Sequence, residues 1–168
     1  TLPNEIGGLK NLITLDLYKN ELTTLPAGIG GLTNLISLDL SANRQEQRGN
    51  GYISITHTLT SLPNEIGNLI NLKTLNLRDN RLLAILPNTI GNLKNLTTLN
   101  VYGCRLTSLP AGIGGLTKLT ELNLNNQQLK VLPNEIGNLT NLKTLNLSYN
   151  YSLTTLPNTI GNLKNLTS

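Results

Sequence analysis

The string LPxxIGxL occurs seven times in this chain, and it constrains the fold more than any other feature. It begins at residues 2, 25, 62, 86, 109, 132 and 156. The prolines Pro3, Pro26, Pro63, Pro87, Pro110, Pro133 and Pro157 are spaced 23, 37, 24, 23, 23 and 24 residues apart. The unit is therefore 23 residues long, and the spacing of 37 is one unit carrying a 14-residue insertion. Self-similarity at such a period is the signature of a stacked array, in which each unit buries its apolar face against its neighbours.

Each phrase is followed by LxxLxLxxN or a close variant, as in LITLDLYKN at 12–20 and LKTLNLSYN at 142–150. The LxL core alternates with period two, which predicts a short strand with one buried face. The Asn after it can hydrogen-bond backbone groups at the turn, and stacked copies would form a ladder. Pro then opens a second segment, where its fixed φ suits the first turn of a helix. Ile and Leu of IGxL point inward, and the Gly between them predicts a tight bend or a close backbone approach. Composition agrees with one packing arrangement repeated many times. The chain has no Phe, Trp or Met, so Leu and Ile carry the core.

These phrases resemble the leucine-rich-repeat family over essentially the whole chain, as six full units and a truncated seventh. The LPxxIGxL form looks like the repeats of intracellular Ras-signalling scaffolds and their plant relatives. It is also similar to repeats of spirochaete and other bacterial surface or secreted proteins. The plant receptor form, with its IPxxLG phrase, fits less well. The resemblance implies an α/β repeat fold, one solenoid over residues 1–168. It would be a curved right-handed superhelix with short parallel strands on the concave face and short helical or 3-10 turns on the convex face. It also implies a protein-binding module with a protein partner and no cofactor.

A longer period overlies the basic one. Residues 62–77 recur almost unchanged at 132–147, and residues 86–97 recur at 156–167, each 70 positions on. The array thus reads as duplicated three-unit blocks, with NEIG in the first unit where NTIG is expected. The chain starts and stops inside a unit and carries no recognisable caps, which solenoids normally need. The expectation is a fragment of a longer array, or self-association through uncapped ends.

Three columns should face the concave side. One reads Thr14, Ser37, Thr74, Thr98, Glu121, Thr144; the next Asp16, Asp39, Asn76, Asn100, Asn123, Asn146; the third Tyr18, Ser41, Arg78, Tyr102, Asn125, Ser148. Interface anchors favour Tyr, Trp and Arg, so Tyr18, Arg78 and Tyr102 are the concave candidates, or else three ordinary solvated strand residues. Asp16 and Asp39 fall on adjacent strands and repel each other. They would suit a cation or a basic partner, or are two solvated carboxylates; no metal site is assigned.

The insertion, which falls within residues 44–58, is the most individual segment. Asn50-Gly51 is a two-residue hairpin signal, and Tyr52–Thr56 alternates apolar and polar residues. A β-hairpin projecting from the rim is expected, with Arg44, Arg48, Tyr52 and His57 as candidate partner contacts, or else a tolerated loop. Cys104 stands where other units have Asn, a position that accepts either residue in this repeat type. Gln127 stands at the same position and is expected to weaken the ladder locally.

Thirteen basic and nine acidic residues give a net charge of +4, scattered along the chain without a like-charge run. That argues against a nucleic-acid partner. No apolar stretch is long enough to span a membrane. A single Cys and a single His leave no catalytic cluster, so no enzymatic role is expected. Besides a binding module, a spacer or adhesive segment of a surface protein and a regulatory arm of a separate catalytic domain stay open. The compartment is not fixed by the sequence.

Overall fold

The alternating LxL triplets form three-residue strands, because each places one leucine inward between two polar residues facing out. A computed structural model describes residues 1–49 and 52–168 of the chain, with the side chains of Arg48 and Tyr52 outside that description. The strands are β1 (Thr14–Asp16), β2 (Ser37–Asp39), β3 (Arg44–Gly49), β4 (Tyr52–His57), β5 (Thr74–Asn76), β6 (Thr98–Asn100), β7 (Glu121–Asn123) and β8 (Thr144–Asn146). Six of them make a parallel sheet in the order β1-β2-β5-β6-β7-β8, with sequence-equivalent residues paired throughout. The leucines of the triplet form one buried column: Leu38, Leu75, Leu99 and Leu122 are sealed, while Leu15 and Leu145 in the first and last strands are half-buried. Each coil is covered only by the coils on either side of it, so burial depends on having two neighbours.

Opposite the sheet, each LPxxIGxL phrase forms a five-residue 3-10 turn, such as Ala27–Gly31 and Asn64–Asn68. The proline is not inside the turn, as the sequence suggested, but caps it. Pro26 has φ −71° and an extended ψ of 156°. Its carbonyl accepts from Ile29 N at 3.1 Å, which closes the turn. The fixed φ thus serves the entry to the turn. Ile29, Ile66, Ile90, Ile113 and Ile136 and the leucines three residues later are fully buried.

The three-unit period has a structural counterpart on this convex side. Asn4 and Asn88 accept through Oδ1 from the backbone N–H of Gly28 and Gly112, each at 2.7 Å. Thr89 and Thr159 donate through Oγ1 to the carbonyls of Asn64 and Asn134, each at 2.7 Å. Successive convex turns are therefore joined by side-chain contacts that recur with the block. NEIG in the first unit supplies the same asparagine as NTIG in the fourth, so that departure changes nothing at the contact.

The residue after each strand triplet and its two followers form the ladder turn. Asn80 donates through Nδ2 to the carbonyls of Leu40 and Leu77, at 3.0 and 2.7 Å, and accepts from Asn43 N at 3.1 Å. Asn43 and Asn150 repeat the pattern in their own coils. Gln127 does not weaken the ladder as expected. Its longer side chain bridges Val101 O at 2.6 Å and accepts from Leu106 N at 3.0 Å, reaching the preceding coil as asparagine does. Just before the ladder residue the backbone turns left-handed, at Lys19, Ala42, Asp79, Gly103, Asn126 and Tyr149, with φ between 52° and 66°. Gly103, Asn126 and Asp79 are of the residue types that visit this region, whereas Lys19, Ala42 and Tyr149 are not.

The insertion is a hairpin. β3 and β4 pair antiparallel from Arg44 opposite His57 to Gly49 opposite Tyr52. The expected Asn50-Gly51 turn lies outside the described residues. The hairpin is tied to the first coil by Arg44 N to Asn20 O at 2.8 Å and by Gln45 Nε2 to Glu21 at 2.9 Å. Its alternation does not mark a buried face, since Ile53 and Ile55 remain 58% and 48% exposed.

Candidate functional site

Strand pairing places Thr14, Asp16 and Tyr18 beside their equivalents in the next coil, so the three expected columns exist. The middle column, however, is committed to the backbone. Asp16, Asp39, Asn76, Asn100, Asn123 and Asn146 each accept through Oδ1 from the N–H two residues on, at 2.8–3.2 Å. This turn needs a short side chain ending in an acceptor, which is why only Asp and Asn occur there. Asp39 also accepts from Asn76 Nδ2 at 2.9 Å. Asp16 and Asp39 do face each other in register. No group of three or more His, Cys, Asp or Glu side chains suited to a metal occurs among the described residues.

Because the acceptor matters and the charge does not, Asp16→Asn is expected to leave stability unchanged within about 0.5 kcal/mol. Asp16→Ala should lower it by about 1 kcal/mol, through the unpaired Tyr18 N–H. Urea unfolding midpoints check both. Equal losses in the two variants would show that the charge, and not the turn, is what the column preserves.

The third column carries the larger side chains. Arg78 lies over the ring of Tyr102, 4.9 Å from its centroid, and its Nε pairs with Asp79 at 3.1 Å. Tyr18 stands apart, because the small, buried Ser41 separates it from Arg78. The gap forms an open depression of about 480 Å³, lined by Tyr18, Asp39, Ser41, Asn76, Arg78 and Arg44 among others. The structure thus joins Arg78 to Tyr102 directly and joins Tyr18 to Arg78 only across this depression.

Of the hairpin candidates, Arg44 pairs with Glu46 at 2.8 Å. His57 sits where the hairpin meets the third coil. Burial is the main cause holding its imidazole below the usual pKa, and the charges of Arg81 and Arg44 add to it. The backbone and carboxylate of Asp79 act the other way. Arg48 and Tyr52 side chains lie outside the described residues. Cys104 is buried, donates to Leu77 O at 3.2 Å, and burial pushes its thiol up to about 12. A thiol that stays protonated far above neutrality is a poor nucleophile. The hairpin brings His57 toward this region, since Arg105, next to Cys104, shares a cavity wall with it.

Sequence reasoning missed the position after the ladder residue. It reads Glu21, Arg44, Arg81, Arg105, Gln128 and Tyr151 along the coils. The signal in that column is its anchor residue types, Arg81, Arg105 and Tyr151. Tyr151 is 88% exposed and meets Tyr149 edge-on, with centroids 6.2 Å apart.

Comparisons with known proteins agree with this geometry. A leucine-rich repeat region model matches residues 48–128, and two further leucine-rich repeat models match residues 5–44 and residues 118–139 and 141–163. No curated protein sequence matches the chain. Among solved structures, the ectodomain of the receptor kinase GASSHO1/SCHENGEN3 from Arabidopsis thaliana, in complex with Casparian strip integrity factor 2, aligns at 28% identity. It covers 99% of this chain and 19% of its own, with a TM-score of 0.74. The Arabidopsis receptor kinase HAESA, in complex with the peptide hormone IDA and the co-receptor SERK1, aligns at 30% identity. It covers 99% of this chain and 27% of its own, with a TM-score of 0.76. A leucine-rich-repeat protein of Leptospira interrogans aligns at 33% identity over 99% of this chain and 56% of its own, with a TM-score of 0.50. The chain thus spans less than a third of either plant receptor. The likeness to plant ectodomains holds despite the LPxxIG phrase, because the coil geometry is shared. No helix among the described residues is long and apolar enough to cross a membrane.

Proposed function

The chain is a leucine-rich-repeat protein, and from that premise we propose that it contacts a protein partner through its concave strands and the 44–58 hairpin. The observation that carries this reading is the position of the hairpin. It leaves the turn directly after β2, beside the depression that Tyr18 and Arg78 border, and Arg44 belongs to both. A partner lying along the sheet would meet the hairpin at its edge. The Arg78–Tyr102 pair supplies a rigid aromatic and a guanidinium, the residue types that anchor interfaces. HAESA is solved with a peptide hormone and a co-receptor, and GASSHO1/SCHENGEN3 with Casparian strip integrity factor 2, which supports a binding role for this fold without assigning the contacts.

A second reading, a spacer in a larger surface protein, is favoured by the middle concave column, whose acceptors are already used by the chain itself. Affinity capture with the full chain separates the two. Under the binding reading, a partner held by the wild type is released by Arg78→Ala with Tyr102→Ala, or by deletion of residues 45–58, with a loss of about tenfold or more. Capture unchanged by both variants counts against contacts at these surfaces.

A further inference from the structure

Arginine follows the ladder position in three consecutive coils, as Arg44, Arg81 and Arg105. Neighbouring coils lie about 5 Å apart at the strands, so the stack concentrates like charge on one rim, which is unfavourable unless something offsets it. All three arginines line one notch of about 480 Å³, and the hairpin forms its other side through Ile55 and His57. Asp79 is the one carboxylate in that lining, and it is paired with Arg78 at 3.1 Å. Arg44 is held by Glu46 at 2.8 Å. Arg81 and Arg105 are exposed and have no ion pair among the described residues.

Two further features belong to the same notch. The buried side-chain polar atom left without a hydrogen-bond partner among the described residues is Nδ1 of His57. Ile55 and Leu82 give the notch an apolar part, 48% and 49% exposed. A second depression of about 250 Å³ shares Arg81 and Arg105 and ends on Tyr149 and Tyr151, so the two arginines are the divide of a longer surface. The repeat does not demand the notch: the fifth unit, built on the same LPAGIGGL phrase, has no hairpin.

We propose that this rim notch binds an acidic, partly apolar segment of the protein partner, its carboxylates on Arg81 and Arg105 and its apolar side chains over Ile55 and Leu82. The proposal rests on the binding-module reading and names the chemistry of its partner. A guanidinium takes a carboxylate through two parallel N–H bonds, which fixes orientation as well as charge. A small inorganic anion would satisfy the arginines but leave Ile55 and Leu82 in water, so a peptide segment fits the whole lining better. A carboxylate docked there would also raise the depressed pKa of His57, whose charged neighbours are Arg44, Arg81, Asp79 and Arg105.

The test uses the full chain and a capped pentapeptide alternating glutamate and leucine, followed by calorimetry and by the imidazole signals of His57, the one histidine. The lysine–leucine counterpart and sodium phosphate alone are the comparisons. Expected are binding of the glutamate peptide only, weakening with salt, and an upward shift of the His57 pKa. The Arg81→Gln, Arg105→Gln double variant should lose about tenfold or more in affinity; both side chains are exposed, and circular dichroism checks that the fold is kept. No binding, equal binding of the lysine peptide, phosphate binding as tightly as the peptide, or full affinity in the double variant would each overturn the proposal. A partner released by the concave or hairpin variants but held by the double variant would overturn it while leaving the binding-module reading standing.

Discussion

Asn80→Ala is expected to lower the stability of this chain by about 3–5 kcal/mol: about 1–3 kcal/mol for the buried Asn43 N–H left unpaired, and about 1 kcal/mol for each bond lost to the Leu40 and Leu77 carbonyls, which keep Asn43 Nδ2 and the Cys104 thiol as partners. Asn80 is fully buried, and its amide holds the carbonyls of Leu40 and Leu77 and the N–H of Asn43. Those groups belong to two coils, so the side chain joins neighbours that otherwise meet through apolar contacts and the short strands. Cys104→Ala at the equivalent position of the next coil should cost only about 1 kcal/mol, because the thiol makes only weak contacts, donating to Leu77 O at 3.2 Å and accepting from the backbone of Asn80. Chemical denaturation of the two variants checks the contrast. Similar losses would mean that the ladder position is sensitive to volume and not to hydrogen bonding.

The second large effect belongs to the convex side. Gly67→Ala is expected to cost about 3 kcal/mol, the upper part of the usual range for overpacking. A Cβ on Gly67 would stand 2.8 Å from the Cβ of Thr89 and still closer to the Thr89 carbonyl. Neither is the flexible end of a long side chain, and the carbonyl is backbone. Relief would require the third and fourth coils to move apart, and the strands that pair Leu75 with Leu99 resist it. Gly161 occupies the same place in the IGxL phrase, yet a Cβ there meets nothing within 4 Å. Gly161→Ala should therefore be neutral or stabilise by up to about 1 kcal/mol, through the reduced entropy of the unfolded chain. Thermal melting of the pair distinguishes close approach from any general need for glycine in the phrase. A loss at Gly161 matching that at Gly67 would favour the general need.

The coil was legible because it repeats. A leucine at a fixed place in every unit has to serve the same core, so the buried columns and the ladder could be read from phase, while the parallel strands came from the resemblance to the leucine-rich-repeat family. The insertion was legible for the opposite reason: it breaks the phase. Tyr52–His57 alternates as a strand should, and β4 forms, but its alternation said nothing about which side would be covered. Ile53 and Ile55 stay exposed, since the hairpin stands away from the core.

Sequence by itself determined the unit, its seven convex turns, the inward columns of Leu and Ile, and the place where the array is interrupted. Tertiary structure decided which polar residues are free to act. Asp16 and Asn76 look available in the sequence, yet Oδ1 of each accepts from the backbone N–H two residues on. The left-handed column leaves only a partial composition signal, because Lys19, Ala42 and Tyr149 are held there by the coil around them. The meeting of His57 with Arg81 and Arg105 depends on the direction in which one unrepeated hairpin leaves the stack. Periodicity fixes neighbours one unit apart, because every coil meets the next in the same way. It is silent on a segment that occurs once, whose direction is set by its own anchors at Asn20 and Glu21.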